Sequence, residues 1–492
     1  MGRRPSRGGF LAAAGTIAVL TLLARLVGFG RWFAFSHSVG ATCVGSIYQS
    51  VNAVPNVLFD IAAGGVLAAV VVPLVAGALS RGDRAHADLT ASALLTWAVV
   101  VLVPLGVLVA LAARPVATSL LGTGCRGEVD LGAELLRVFA VQIPLYGVAI
   151  VLAGVLQSHR RFVGAALAPL LSSLVVIAAY LAYRELVPDP AAPVDGVPGS
   201  ATLVLGVGTT LGVVALALPL VAPVRRAGIR LRPRLRFPDG VARRVRALAV
   251  AGLLAVAGQQ LATLVVIRLA NDRGGSGTLN VYTYAQAVTL LPYAVLAVPL
   301  ATAAFPSLAG AHAVGEGDGS RVGGPASAAS GGQPAGHAVE GGIASETLRR
   351  AWLATVVVSL FGVAALVAVA VPVGAFFGAL DAGSRSDASA ETLSAMGDAV
   401  TAFAPSVLAL GVIGLLTRAS YVGGRAVLAG GLAALGWLAT LVVPLLVLDP
   451  EGAGGPATLR ALSAGSSVGL ALGAVLLVAL VARSWGWPAL RL

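Results

Sequence analysis

The sequence predicts an all-α, polytopic membrane protein with about twelve transmembrane helices in two six-helix bundles around a central cavity. Three observations carry that prediction. Hydrophobic residues make up 58% of the 492 and charged residues only 11%, a balance that does not fold into one water-facing globule. Apolar stretches of about 20 residues, enough to cross about 30 Å of hydrocarbon, recur along nearly the whole chain. Arginine gathers in alternate loops between them, as it does in loops retained on the cytoplasmic side.

The first span covers residues 10–30. The nine residues before it, with the apolar run, resemble a secretory signal, but the run exceeds a typical h-region of about 7–15 residues and further spans follow. The second stretch, 42–79, is too long for one straight crossing and contains Pro55 and Pro73, so a single long helix bent or partly unwound near Pro55 is predicted. Spans at 89–113, 132–157, 163–183 and 199–223 complete the first bundle, residues 1–223. A basic cytoplasmic loop, 224–245, follows. The second bundle, 246–482, has spans at 246–270, 279–308, 350–378, 398–420, 424–448 and 458–482, then a cytoplasmic tail, 483–492. Gly206 and Gly208 sit inside an apolar span, where close helix packing is the ordinary reason for glycine.

Charge sets the orientation. With the N-terminus inside, 23 of the 33 arginines lie on the cytoplasmic side, nine of them between Arg225 and Arg246, and both termini are cytoplasmic. Splitting 42–79 into two crossings would put that cluster outside. The net charge of +12 is therefore read as loop arginines that orient the chain and sit against anionic membrane lipids, with no nucleic acid needed. The Arg225–Arg246 segment is read as a topological anchor, with a surface helix as the other reading. Residues 310–345, rich in Gly, Ala, Ser and Glu, lack the apolar surface to fold and are predicted to be a disordered cytoplasmic loop.

The halves carry a faint repeat. Pro73-Leu-Val-Ala-Gly-Ala ends the second span and Pro306-Ser-Leu-Ala-Gly-Ala the eighth. Six spans apart, the two copies point the same way across the membrane, the parallel-repeat pattern of transporters that open alternately to either side.

Catalytic motifs are absent. There is no phosphate-binding loop, no His-Glu-x-x-His and no Gly-x-Ser-x-Gly, and the chain has no lysine, which excludes a P-loop ATPase within it. The five histidines, His37, His86, His159, His312 and His337, have no ligand spacing, so neither a metal nor another cofactor is predicted, and the chain is not read as an enzyme. Cys43 and Cys125 lie near the outer ends of their spans. They are either a disulfide clamping that side of the first half or two unpaired small residues.

Polar groups inside spans are costly in hydrocarbon and usually face a bundle interior or an aqueous cavity. In the first two spans these are Arg25, Arg31, Gln49, Asn52, Asn56 and Asp60; in the second half they are Gln259, Gln260, Arg268, Tyr282, Tyr284 and Gln286. An arginine in a cavity suits a diphosphate, because the guanidinium stays charged and presents a planar fork to phosphate oxygens. Snorkelling to the outer interface is the other reading of Arg31 and Arg268. Arg25 is read as lining the cavity or pairing with Asp60, and Asn56 as lining it or capping a helix that resumes after Pro55.

Several motifs in order resemble the MurJ/MviN family of lipid II flippases. They begin with Ala24-Arg25-Leu-Val-Gly-Phe-Gly-Arg31, Pro55-Asn56, Gly65-Val-Leu and Val72-Pro73. Gly154-Val-Leu-Gln157-Ser-His-Arg160-Arg161-Phe162 and Ala166-Leu-Ala-Pro169 follow. Tyr284-Ala-Gln286, Leu291-Pro292, Val298-Pro299-Leu and Phe305-Pro306-Ser-Leu-Ala come next, then Leu415-Leu-Thr417-Arg418-Ala-Ser-Tyr421. The resemblance implies an exporter of the multidrug/oligosaccharidyl-lipid/polysaccharide superfamily in the bacterial plasma membrane. Its substrate would be lipid II, carried to the outer leaflet by alternating access, with cell-wall synthesis proteins as further partners. Arg25 and Arg31 match the two arginines of the family's first helix; together with the polar span residues Asn52, Asn56, Tyr284 and Gln286 they are read as the headgroup-binding site. Membrane potential is a candidate driving force.

The chain departs from the family pattern at several charges. Ser46 stands where an acid is common, Phe59 and Asp60 where basic residues are common, and Gln286 with Ala287 where an acid-arginine pair is common. The turn after Tyr421 also differs, and the chain would lack two further helices that some members have. Three functions are therefore weighed: a lipid II flippase, an exporter of another polyprenyl-linked glycan or small molecule, and a non-transporting scaffold for wall synthesis.

Overall fold

The computed structural model describes residues 7–61, 68–122, 125, 127–189, 192–238, 241–300, 336–385, 387–422, 425–449 and 452–491, and no strand occurs among them. They fall into two units. Unit 1 comprises Met1–Tyr284, Gly374–Ala395 and Asp449–Leu459, and unit 2 comprises Ala285–Val373, Met396–Leu448 and Arg460–Leu492.

Ten helices among the described residues are long and apolar enough to cross a membrane. They coincide with ten of the twelve expected spans, which leaves the count of twelve unconfirmed. Of the other two stretches, 246–270 lies within one long helix, Val241–Arg273. Residues 42–79 are divided between Cys43–Asp60 and Ala68–Ser80, with 62–67 outside the described residues. Leu111 and Leu446 are each 80% exposed and Val371 77%, side chains whose natural surroundings are lipid tails.

In unit 1, α1 (Arg7–Ser38) turns at Gly40 into α2 (Cys43–Asp60). Gly40 has φ +67°, and a Cβ there would stand 2.6 Å from Asp381 Oδ1, so only glycine fits without strain. Thr42 caps α2 by accepting from the Gly45 N–H, which satisfies one of the donors a helix start leaves open. The helix passes unbroken through Pro55. The chain is therefore not unwound at Pro55, unwinding being one of the two forms of the expected distortion, and Asn56, in mid-helix, caps nothing. Next come α3 (Ala68–Ser80) and α4 (Arg84–Leu111), the latter capped by Asp83. Four helices follow: α5 (Ala113–Leu120), α6 (Glu128–Ala140), α7 (Gln142–Ser158) and α8 (Phe162–Leu186). The expected span 132–157 is interrupted at Val141 because Pro144 has no N–H to offer the Ala140 carbonyl. In α9 (Gly199–Ala217), Gly206 and Gly208 face Leu135 and Ala179 at distances that leave no room for a Cβ, so close packing is indeed their role.

The basic segment is neither a helix nor a free loop. After the short α10 (Val221–Arg226) the chain runs extended from Ile229 to Pro238 before α11 (Val241–Arg273) begins. This corrects the surface-helix reading. Alternation over 229–232 explains it: Ile229 and Leu231 are packed against the core of α3, α4 and α7 while Arg230 and Arg232 are exposed, the period of an extended chain. Phe237 returns to that core, although Leu235 is exposed.

Unit 1 is completed by α12 (Thr278–Pro292), which leaves the unit after Tyr284, by the end of α13 (Gly336–Leu380), and by α14 (Asp387–Ser394). Helix α13 begins at Gly336, so the expected disordered loop is helical over 336–345. Its remainder, 310–335, lies outside the described residues, as do Gly65-Val-Leu and the second repeat copy at Pro306. A disulfide joins Cys43 to Cys125, with Cα atoms 6.1 Å apart.

Unit 2 contains most of α13 with α15 (Met396–Phe403), α16 (Pro405–Val422), α17 (Ala426–Ala439), α18 (Val442–Val447) and most of α19 (Gly455–Trp485). Its core is built from Leu348, Trp352, Leu415, Leu416, Leu477 and Val481, among others. Here α17 and α19 approach so closely that a Cβ on Gly436 would stand 2.8 Å from the Gly473 Cα, and one on Gly469 would collide with the Thr440 backbone nitrogen. Gly465, Gly469 and Gly473 recur every four residues, the small-residue spacing that lets membrane helices pack backbone to backbone.

Candidate functional site

Arg31 is the centre of a polar patch inside unit 1. It lies on the last two turns of α1, half-buried, with its guanidinium carbon 5.9 Å from the Trp32 ring centroid. Its charge reaches the hydroxyls of Tyr48 on α2, Tyr146 on α7 and Tyr180 on α8. Tyr48 bonds both Tyr180 (2.9 Å) and Thr209 (3.0 Å) through its hydroxyl. A permanently charged group thus lies within electrostatic reach of buried phenols, with no carboxylate paired to it among the described residues.

Helix α2 supplies the second side of the patch. Asn52, Asn56 and Asp60 recur every four residues and so share one helix face. Asn56 donates to the Asn52 carbonyl at 2.7 Å and accepts from the Tyr146 hydroxyl at 3.0 Å. The Asn52 side-chain oxygen is buried without a partner, an unmet acceptor of the kind a bound donor would satisfy. One turn on, Asp60 accepts from Gln260 of α11 at 3.4 Å. Arg25 does not pair with it.

Arg25 is exposed and lies six residues before Arg31, about 9 Å along the axis and about 120° around it. The two family-matching arginines therefore do not converge on one point of the helix surface. Tyr284 is fully buried, stacked on Phe377 at 5.0 Å and edge-on to Trp32 at 6.3 Å. Its hydroxyl lies beside Ser36 and Asp381 without hydrogen-bond geometry to either, so it belongs to the packing of unit 1 rather than to the patch. Gln286 is half-buried and belongs to unit 2. Arg268 donates to the Leu121 carbonyl and pairs with Asp272 at 3.1 Å, a structural role near the disulfide.

Sequence reasoning passed over Tyr48, Tyr146 and Tyr180, although a phenol in an apolar span is itself the signal. It also passed over Asp381, which is 3% exposed. That carboxylate accepts from the Ser36 hydroxyl (2.6 Å) and from the backbone N–H groups of Ala41 (2.7 Å) and Gly383 (2.8 Å), while Ser389 donates to the Ala41 carbonyl at 2.6 Å. The α1–α2 turn that places Arg31 next to α2 is thus clasped by a segment about 340 residues later in the chain. Burial pushes the Asp381 carboxyl up from its ordinary value, and its donors pull the other way.

Comparison with known proteins gives one consistent result. The family model described as lipid II flippase MurJ matches residues 35–489. The lipid II flippase MurJ of Burkholderia cenocepacia is 30% identical over 301 residues, 60% of this chain and 56% of that protein. A probable lipid II flippase MurJ of Rhizobium meliloti is 28% identical over 304 residues, 60% of this chain and 54% of that one. The chain therefore spans about half the length of these curated relatives. Among solved structures, a lipid II flippase MurJ in an inward closed conformation superposes with TM-score 0.68 at 14% identity, covering 96% of this chain and 90% of that one. An inward-facing multidrug resistance MATE family transporter of the MOP superfamily gives 0.67 at 15% identity, covering 94% of each. These structural likenesses establish a shared fold.

Proposed function

The chain belongs to the MurJ family, a multi-pass membrane protein by its apolar helices, and on that premise we propose that it is a lipid II flippase. In this reading it moves the undecaprenyl-diphosphate-linked headgroup from the inner to the outer leaflet of the bacterial plasma membrane, and no covalent chemistry is required of it. The observation that carries the proposal is Arg31. A guanidinium without a carboxylate partner among the described residues, in the same unit as the unmet Asn52 oxygen and the Tyr146–Asn56 pair, offers a charge for the diphosphate, and those groups offer polar partners for the sugars.

Within this proposal Arg31, Asn52 and Asn56 hold the headgroup, and Arg25 receives it nearer the other end of α1. Gln286 is retained as a candidate headgroup residue, and Tyr284 positions α1. The six-and-six division of the spans, alternating access, cytoplasmic termini and membrane potential as the drive belong to the same proposal. So do anionic lipids and wall-synthesis proteins as partners. Orientation has support within unit 1: the arginine-rich turn at Arg81–Arg84 leads into α4, and disulfide-bonded Cys125 follows it beyond α5, an order that suits a reducing and an oxidising side.

A second reading, export of another polyprenyl-linked glycan or small molecule, is favoured by the missing charges. Ser46 accepts from the Gly277 N–H at 2.7 Å, so a family acid position here ties two parts of unit 1 together. Complementation separates the readings: the chain is expressed in a bacterium whose essential lipid II flippase can be switched off, and outward-exposed lipid II is measured. Rescue by the parent, with exposure lowered about tenfold or more by Arg31→Ala, is expected. A correctly inserted parent that exposes no lipid II rules out the flippase.

A further inference from the structure

The extended basic segment forms a groove with α4, and the groove is built rather than incidental. The backbone N–H groups of Arg230, Arg232 and Arg234 donate to side chains of Asp88 (3.3 Å), Ser92 (3.1 Å) and Thr96 (2.9 Å). Two residues of extended chain rise about 6.6 Å and four residues of helix about 6 Å. The strap therefore tracks the helix in register over three steps, and Trp97 Nε1 closes the end by donating to the Leu235 carbonyl at 2.8 Å. That edge of the strap is fixed; Arg230, Arg232 and Arg236 are exposed beside it, while Arg234 is half-buried with its Nε donating to the Arg236 carbonyl at 2.8 Å.

Those side chains lack partners of opposite charge. None of Arg230, Arg232, Arg234 and Arg236 forms an ion pair among the described residues, and Asp88 on the facing part of α4 accepts from the strap backbone. All four line a cavity of about 780 Å³, with Leu89, Val100 and Leu235 as its apolar wall. From Val100 an exposed apolar stripe continues along α4 through Val103, Val107 and Leu111, about 16 Å of helix. The groove thus presents positive charge at one end and a lipid-facing apolar track at the other.

We propose that this groove is a headgroup site for one anionic glycerophospholipid, its phosphate held by the strap arginines and its acyl chains laid along α4. Charge complementarity selects an anion. The apolar track selects a lipid over a free phosphate, and the fixed strap distinguishes a defined site from diffuse attraction. The inference rests on the reading of anionic lipids as partners and is independent of flipping.

Native mass spectrometry of the purified full-length chain in detergent, titrated with phosphatidylglycerol, phosphatidylcholine or glycerol phosphate, tests it. One phosphatidylglycerol per chain is expected, bound about tenfold or more in preference to phosphatidylcholine and not displaced by equimolar glycerol phosphate. Replacing all four arginines by glutamine is expected to abolish the preference, at about fivefold per arginine. A second variant, Ser92→Ala with Thr96→Val, keeps every charge but removes two of the strap's three side-chain rungs, and a loss of preference of several-fold is expected. Preference retained by the glutamine variant would overturn the site, and preference unchanged in the variant lacking the two rungs would reduce it to diffuse charge. Displacement by glycerol phosphate would make it a free-phosphate site. Retained binding in cells where complementation fails would leave the groove standing and the flippase reading lost.

Discussion

The two units are held together by different means. Unit 1 uses side-chain bonds between distant parts of the chain: the disulfide between Cys43 and Cys125, the Asp381 clasp on the α1–α2 turn, and Asn271 donating to Ser50 at 2.7 Å. Unit 2 brings backbones together through Gly436, Gly469 and Gly473, and its Thr355 and Ser359 hydroxyls are buried without partners. The difference teaches where precision is located. In lipid there is little hydrophobic drive between helices, so close packing suffices for association; polar cross-links fix a geometry, and the longest-range of those described lie in the unit that carries Arg31, while unit 2 has Ser467 donating to the Ala402 carbonyl at 2.6 Å.

Breaking the clasp tests this most severely. Asp381→Ala leaves the N–H groups of Ala41 and Gly383 buried and unmet, and a loss of about 4 kcal/mol is expected, at about 1–3 kcal/mol for each stranded group. Hydrogen exchange should show the loss first in α1 and α2. Equal and simultaneous opening of α17 would mean that the clasp is not local to unit 1.

The disulfide ranks next. It closes a loop of sequence separation 82, and replacing both cysteines by alanine is expected to cost about 3 kcal/mol. Thermal unfolding in detergent reads this, with and without reductant. A parent whose melting is unmoved by reductant, and which alkylates fully without it, would show that the bond does not form.

In unit 2 the matching test is Gly469→Ala, expected to cost about 2 kcal/mol because the new methyl meets the Thr440 backbone, an overpacked contact with no flexible neighbour to yield. Gly30→Ala on α1, where nothing lies within 4 Å, is the control and should be neutral or slightly stabilising. If Gly469→Ala melts like the control, unit 2 is looser than its glycine contacts imply.

The same contrast explains what the sequence disclosed. Helical spans follow from residue type alone, since about 20 apolar residues have few other solutions, and Arg31 stood out because it is the wrong residue for that solvent. What stayed hidden depends on pairing across the chain. Nothing in Asp381 announces that it will meet Ala41, whereas Cys43 and Cys125, the only two cysteines, could pair only with each other and so offered their disulfide as one of two readings. The strap shows the limit within one segment: Ile229, Leu231 and Phe237 alternate with arginines at the extended period, yet a dense run of arginine drew the eye to charge. Breaks within spans were legible in principle, because Pro144, Pro405 and Pro444 each mark one.

The smallest expected effect concerns the Asp381 proton, and it measures the balance inside the clasp. Burial raises the carboxyl above its ordinary value against the pull of its donors. A group whose folded pKa is raised adds stability that is full below its unfolded pKa and is lost as pH rises through the folded one. Acidification should therefore stabilise the parent relative to Asp381→Asn, by about 1 kcal/mol or less. Asparagine is a fair reference, because its oxygen can keep the Ala41 and Gly383 bonds while its amide donates to Ser36. If the parent instead weakens relative to Asp381→Asn as pH falls, the donors outweigh burial and the clasp depends on a full negative charge.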